Sequence, residues 1–382
     1  MPIRLDILAR TTTNAARRGR LRTPHGSIDT PAFMPVATAG SIKGVQFPQL
    51  RETGAEMVLA NAYHLLLRPG AARVARLGGL HRFMGWDGPI LTDSGGYQAF
   101  SMADLLSIDE GGFTFRSFID GAAVRLGPAE CMQVQNDLGA DCIMPLDDCP
   151  PAGAEPARLD AALERTHRWL RECVRHHARP SEQALFGIVQ GGTDPDRRAR
   201  SAAAVTSLDL PGYAIGGVAV GEGAEEIRRT VELTAPLLPA DRPRYLMGVG
   251  YERDLVAAVA AGVDLFDCVL PTRNGRNARV FTRHGPLNLR NARFAEDPDP
   301  IDPSCDCPAC RGLSRAYLRH LFHAGEMLGP ILASVHNLRH LQRLMLDIRQ
   351  AIQQDAWSSL DRLWPVLAGP DGSGSAPGNP ES

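Results

Sequence analysis

LFGIVQGG (185–192), DPDRRARSAAAVTSLDL (194–210), YAIGGVAVG (213–221), EEIRRTVELTAPLL (225–238) and RYLMGVG (244–250) follow one another with only short gaps. The first, third and fifth are short apolar runs that stop at Gly or a polar group. The second and fourth repeat their apolar residues at the 3.6-residue helical spacing. Strand, helix, strand, helix, strand predicts parallel strands joined by crossover helices. The same form recurs upstream in PAFMPVATAG (31–40), MVLANAY (57–63), PILTDSGG (89–96) and CIMPLDDC (142–149), and downstream in DLFDCVLP (264–271). ARLDAALERTHRWLRECVRHHA (157–178) is the clearest helix between them. Eight such strands favour an α/β fold of the closed (β/α)8 TIM-barrel type over an open doubly wound sheet.

Two stretches break the alternation. Residues 97–130 hold Gly111, Gly112, Gly121 and an alternating FTFRSFI run (113–119), which predicts an inserted hairpin or lid. Residues 272–345 fit no single strand–helix repeat and read as an Arg-rich, zinc-binding subdomain. The expected organisation is a barrel body over 1–271, that subdomain over 272–345, a closing helix over 346–367 and a disordered tail over 368–382, GPDGSGSAPGNPES by composition.

The chain of 382 residues is long enough to bury a large core without staples. Its N-terminus, MPIRLDILARTT, has no apolar stretch of signal length, and no run is long enough to span a bilayer. Five scattered cysteines, Cys131, Cys142, Cys149, Cys173 and Cys268, lie in mostly apolar segments and read as buried free thiols, which predicts a cytoplasmic protein. The net charge of -2 excludes a globally basic nucleic-acid coat, so any nucleic-acid footprint must be local.

In a (β/α)8 barrel the chemistry gathers where the strands end. Here those ends carry Asp93-Ser94-Gly95-Gly96, Asp147-Asp148, Gln190-Gly191-Gly192, Gly216-Gly217, Met247-Gly248 and Asp267. A single Asp in such a place also serves as a helix cap or turn former. Carboxylates at the ends of separate strands converge on one mouth once the barrel closes. The glycines make tight turns or let a planar ligand lie against bare backbone. There is no Walker pattern or strand-linked GxGxxG, so no nucleotide cofactor is implied.

Cys305-x-Cys307-x2-Cys310 with His336 offers four metal ligands, and four ligands leave no open position, which is the signature of structural zinc. His323 and His340 are rival fourth ligands, but His336 follows the apolar run ILASV (331–335). Upstream, Asp267 is the only acid among Arg273, Arg276, Arg279, Arg283, Arg290 and Arg293. So one-sided a run reads either as a solvated face or as phosphate contacts to RNA.

DSGGYQ (93–98), MPLDDCP (144–150), GIVQGG (187–192), GGVAVGE (216–222), YLMGVG (245–250), FDCVLPTRNGR (266–276) and the CxCxxC…His set resemble bacterial tRNA-guanine transglycosylases, the queuine tRNA-ribosyltransferases, up to about residue 365. The resemblance implies exchange of guanine at the anticodon wobble position for preQ1, in the tRNAs for Asp, Asn, His and Tyr, on the way to queuosine. By the same resemblance Asp267 is the nucleophile at C1′ and Asp93 the acid/base. Asp147 reads the base edge, Gln190 with Gly216 and Gly217 lies on the O6 side, and Tyr97 and Met247 sandwich the ring. Arg273, Asn274, Gly275, Arg276 and Arg279 fall on the anticodon-loop contact, and Cys305, Cys307, Cys310 and His336 hold one Zn2+ per subunit. The implied partners are the tRNA anticodon stem-loop, preQ1 or guanine as free base, and a second copy in a homodimer, with no membrane.

Val218 replaces the Leu usual in GGLAVGE. Val220 stands where the eukaryotic enzyme has Gly, so it should restrict the pocket and favour preQ1 over queuine. Glu222 resembles the carboxylate that stabilises one backbone orientation of that loop. Two relatives are weighed against this reading. An archaeosine-type transglycosylase generally carries further C-terminal RNA-binding domains, and a non-catalytic tRNA-binding subunit would lack the nucleophile.

Overall fold

The computed structural model describes residues 1–101 and 104–368, the side chains of 99–101 and 104–106 excepted. The expected tail therefore lies almost wholly outside the described residues. Eight parallel strands close into a barrel in chain order: β1 (Ala32–Ala37), β2 (Val58–Ala60), β3 (Ile90–Thr92), β4 (Cys142–Ile143), β5 (Ala184–Val189), β6 (Gly212–Ile215), β7 (Arg244–Leu246) and β8 (Leu265–Cys268). Six fall inside one of the eight apolar runs, and β5 and β6 each begin one residue before theirs. β8 pairs with β1, Asp267 lying opposite Met34, and this closes the ring.

The barrel interior is filled by Met34, Leu59, Leu91, Cys142, Phe186, Ala214, Tyr245 and Leu265, all buried. Ile3, Leu5, Leu21 and Ile28 join the same cluster. Leu5, Leu21 and Ile28 come from an antiparallel sheet of Arg4–Arg10, Arg17–Thr23 and Gly26–Thr30 that closes the end where the barrel strands begin, and Ile3 immediately precedes its first strand. Two buried acids fasten that end. Asp264 receives a two-pronged contact from Arg17 at 2.8 and 2.6 Å. Asp141 accepts from the backbone N–H of His25 and Ile90, and contacts the His25 and His81 rings at 2.9 and 3.1 Å.

The 97–130 insertion holds three antiparallel strands, Asp104–Asp109, Gly112–Arg116 and Ala123–Leu126, one more than a hairpin. It is docked on the helix Pro156–His176. Phe113 meets Trp169 edge-on, and the Trp169 indole N–H donates to the Glu110 carbonyl at 2.7 Å. The expected lid also ends too late, because Pro128–Leu138 is already a barrel helix.

The C-terminal boundary moves as well. One helix, Leu328–Gln353, runs through the 345/346 break expected above and carries both His336 and the residues that pack on the barrel. Its Gln342 donates to the Phe33 carbonyl at 2.9 Å, and its backbone at Ser334 lies against Gly275. The helix therefore serves barrel and metal knuckle together. No helix among the described residues is long and apolar enough to cross a membrane.

Candidate active site

Every strand-end acid noted in the sequence lies at the same end of the barrel. Asp93 follows β3 and is buried. Its carboxylate accepts from the Asn61 amide at 2.7 Å and the Ala62 backbone N–H at 2.8 Å, both at the end of β2. Burial pushes its pKa up to about 7 against the N–H of Ala62, and the charges of Asp267 and Asp147 push the same way. All three end or follow parallel strands of one closed barrel, which sets them at the same mouth. Gly95 has φ +78, and a Cβ there would stand 2.9 Å from Tyr63, so only glycine lets the chain turn this closely beside Asp93.

Asp267, on β8, accepts from the Tyr245 hydroxyl at 2.6 Å and the Gly248 N–H at 2.9 Å. Burial raises its pKa in spite of those two donors. The Tyr245 phenol is itself pushed up by burial and by the Asp267 charge, so it stays a donor. Asp147 is buried, and the Gln190 amide donates to it at 2.7 Å. Burial pushes its pKa up to about 6. Among the described residues none of the three carboxylates has a cationic side chain in ion-pair contact. By contrast Asp148, the neighbour of Asp147, is held by Arg158 at 2.6 Å and Arg165 at 2.6 Å. Asp148 is thus fastened to the fold, whereas Asp147 has no cationic partner among the described residues.

Gly217 has φ +63, and a Cβ there would stand 2.1 Å from the Gln190 Oε1. The bare backbone of 216–217 thus lies flat over Gln190. Beyond it the Val220 N–H donates to the Glu222 carboxylate at 2.8 Å. A cavity of about 260 Å³ opens behind these loops, lined among others by Pro150, Ala152, Gln190, Gly217 and Glu222. Tyr97 is exposed in the first turn of Gly96–Ser101, and Met247 is half-buried after β7 at the rim of the interior cluster.

The basic segment divides in two. Arg273 is exposed and Arg276 and Arg279 are half-buried around the short helix Leu270–Arg276. Gly275 is buried there, with a would-be Cβ 2.6 Å from the Ser334 nitrogen, so it lets the two helices pack closely. Asn274 turns its amide nitrogen into a buried position without a partner. Arg283 pairs with Asp347 at 3.1 Å and stacks over Trp364, while Arg290 donates to the Phe322 carbonyl. Arg283 and Arg290 are thus engaged within the fold.

Cys305, Cys307, Cys310 and His336 bring their ligand atoms within 4.8 Å of one another. His336 Nδ1 lies 3.5 Å from the Cys307 sulfur and 3.3 Å from that of Cys310. Edges of roughly 3.5 Å are what a tetrahedral ion with bonds of about 2.3 Å to sulfur and about 2.0 Å to nitrogen requires. His336 Nε2 contacts the Phe281 carbonyl at 2.8 Å, which puts the proton on Nε2 and frees Nδ1 as the ligand. Asp306, between two of the cysteines, is clamped by Arg339 of the same long helix. The four residues can hold a metal ion. His323 and His340, the rival ligands, point elsewhere, to the Arg290 carbonyl and to Glu252.

Sequence reading missed the groups that hold the acids. Asn61 and Tyr245 lay inside apolar runs already read as strands. Arg198 lay inside the 194–210 run read only as a helix. A signal existed for it: Arg198 shares a helix face with Ser201, Ala202 and Val205, all buried.

Fold and site together define a (β/α)8-barrel enzyme with three unneutralised carboxylates at its mouth and a four-ligand metal knuckle beside it. The family described as queuine tRNA-ribosyltransferase matches residues 12–364. Similar proteins called queuine tRNA-ribosyltransferase include one from Thermus thermophilus, 55% identical over 94% of this chain and 93% of that protein. Another, from Synechococcus elongatus, is 55% identical over 88% of this chain and 89% of that protein. A third, from Acetivibrio thermocellus, is 52% identical over 92% and 94%. The chain belongs to the queuine tRNA-ribosyltransferase family.

Proposed function

We propose that this chain is a tRNA-guanine transglycosylase, a pentosyltransferase that replaces guanine at the anticodon wobble position with preQ1. The observation that carries the reading is that Asp93, buried, and Asp267, half-buried, stand at the same end of one barrel, neither in ion-pair contact with a cation among the described residues. The Asp267 carboxylate attacks C1′ of the ribose, the glycosidic bond breaks, and Asp93 gives its proton to the departing guanine. The Asp93 carboxylate then takes the N9 proton of the incoming base, whose nitrogen attacks C1′ and releases Asp267. Two displacements at one carbon retain configuration. A pKa of about 7 suits a group that must act as acid in one half and base in the other.

Asp147 and Gln190 bind the Watson–Crick edge, since a carboxylate matches the N1–H and N2–H donors of a guanine-like base. Tyr97 and Met247 flank the ring, and Arg273, Arg276 and Arg279 hold the anticodon-loop phosphates. The Cys3His set holds zinc, which ties the 305–310 loop to the long helix. The working unit is a cytoplasmic homodimer.

Incubation with labelled guanine and unmodified tRNA tests this. Label is expected in the anticodon, and Asp267→Ala should lower incorporation on the order of 10⁴-fold or more. Label in the D-loop would favour the archaeosine-type reaction. No label at all from the folded enzyme would overturn the proposal.

A further inference from the structure

Arg198 is buried to 1% exposure and has no acidic partner among the described residues. Its guanidinium donates instead to four backbone carbonyls: Val189 at 3.0 Å, Gly192 at 2.6 Å, Gly216 at 2.7 Å and Gly217 at 3.1 Å. These carbonyls lie at the ends of β5 and β6, on either side of Gln190 and in the loop that lies over it. Burial lowers the Arg198 pKa to about 10, so it stays charged at neutral pH. A buried, unpaired cation costs stability and calls for a reason.

The peptide geometry supplies one. In a planar trans peptide the N–H points opposite the C=O. With the Gly216 and Gly217 carbonyls turned to Arg198, the N–H groups of Gly217 and Val218 are turned away from it. Neither N–H has a partner among the described residues, although Val218 is buried. An N–H pair left without a partner beside Gln190 is open to an incoming acceptor. One turn further along the same helix, the Ser201 hydroxyl accepts from the Gln190 N–H at 3.0 Å, and His167 contacts that hydroxyl at 3.1 Å. Helix Pro195–Thr206 thereby fixes both the side of the site that carries Gln190 and the side that carries the free N–H groups.

We propose that Arg198 is a positioning residue for base recognition, which holds the 216–217 backbone so that its N–H groups meet the carbonyl oxygen of the purine. The idea rests on the transglycosylase reading. Only a planar fork reaches four carbonyls on two loops, and a lysine ammonium in the same place cannot. The loop is thus held at both halves, by a cation at 216–217 and by the Glu222 carboxylate at Val220.

The test is Arg198→Lys, with Arg198→Gln as the second variant in case one fails to fold, in the labelled-guanine exchange. Loss of one well-placed hydrogen bond to the base should raise the KM for guanine about tenfold, while the KM for tRNA stays within about twofold. A merely structural role would lower the fraction of active enzyme and leave the guanine KM alone. An unchanged guanine KM in a folded variant, or an equal rise in both KM values, would overturn the inference. Absence of exchange by the unsubstituted enzyme would instead strike at the function itself, so the two failures are distinguishable.

Discussion

The two ends of the barrel treat their aspartates in opposite ways. Asp264 and Asp267 are three residues apart around β8. Asp264, where the strand begins, is gripped by the Arg17 guanidinium at 2.6 Å, with the Arg244 backbone N–H at 2.8 Å as a further donor. Asp267, near the strand's other end, has a phenol and one N–H but no cation. Asp141 and Asp147 repeat the contrast around β4. His81, His25 and two N–H groups hold Asp141 below the usual carboxylate range although burial works against them, while burial pushes Asp147 up to about 6. Acids that meet a partner hold the fold together. Acids left without one keep their charge or proton for a ligand, and perturbed carboxylates in a shared mouth are the physical mark of a working site.

Swapping the treatment at the closed end should break the comparison most severely. Asp264→Ala leaves the Arg17 charge buried and unpaired, and such a loss costs about 3–5 kcal/mol. The denaturation midpoint should fall accordingly, while exchange activity per folded molecule stays unchanged, because Arg17 and Asp264 touch nothing at the mouth. A stable Asp264→Ala protein with impaired exchange would mean that the two ends are not functionally separate.

Much of this division was legible in the sequence. The barrel strands are short apolar runs stopped by Asp, Gln or Gly, and that one pattern marks both the element and the position of the site. The Cys3His spacing is equally local. The N-terminal sheet was not visible, because RLDILAR and RRGRLRT alternate charged and apolar residues along strands with one exposed face, and carry no crossover signal. The long C-terminal helix was cut short because its first half, with the apolar run ILASV and His336, was assigned to the metal-binding subdomain, and the Gly and Pro of LGPILASVH hide its start. Arg283 and Arg290 looked like phosphate ligands because charge is visible in a sequence and an internal partner such as Asp347 is not. Arg197 and Arg198 show the same limit side by side. The first meets Asp160 and Asp194 at the surface, and the second turns inward to bare carbonyls.

The titration of Asp93 sharpens the comparison by a smaller amount. Its folded pKa, about 7, lies above the ordinary 3.8, so the folded protein holds the proton longer than the unfolded chain does. Stability is thereby lost as pH rises between those two values, and the loss is complete above about 7. Asp141 has the opposite sign. Its depressed pKa contributes stability that is present above the ordinary value and lost as pH falls through the folded one. In catalysis the protonated form of Asp93 serves guanine departure and the ionised form serves the incoming base. Single-turnover release of guanine from tRNA should therefore decline about tenfold per pH unit above about 7, and base attack should decline likewise below it. Two half-reactions with the same pH profile would remove Asp93 from the acid/base role.

The smallest effect is expected where the mouth chooses between bases. Val220 is half-buried, its N–H is held by Glu222, and its carbonyl accepts from the Ala152 N–H at 3.4 Å. Contacts on both sides of the residue oppose the backbone shift that would otherwise relieve a clash with a bulky 7-substituent. Val220→Gly removes the branched side chain and leaves both backbone contacts in place. Relative efficiency for queuine over preQ1 should rise by about 10-fold, the low end of the discrimination that small apolar groups provide. Steady-state rates with each base measure it. If Val220→Gly left the ratio unchanged while Glu222→Gln altered it, loop orientation rather than side-chain bulk would govern the choice, and the acids of the mouth would be tuned by the same backbone that Arg198 and Glu222 hold.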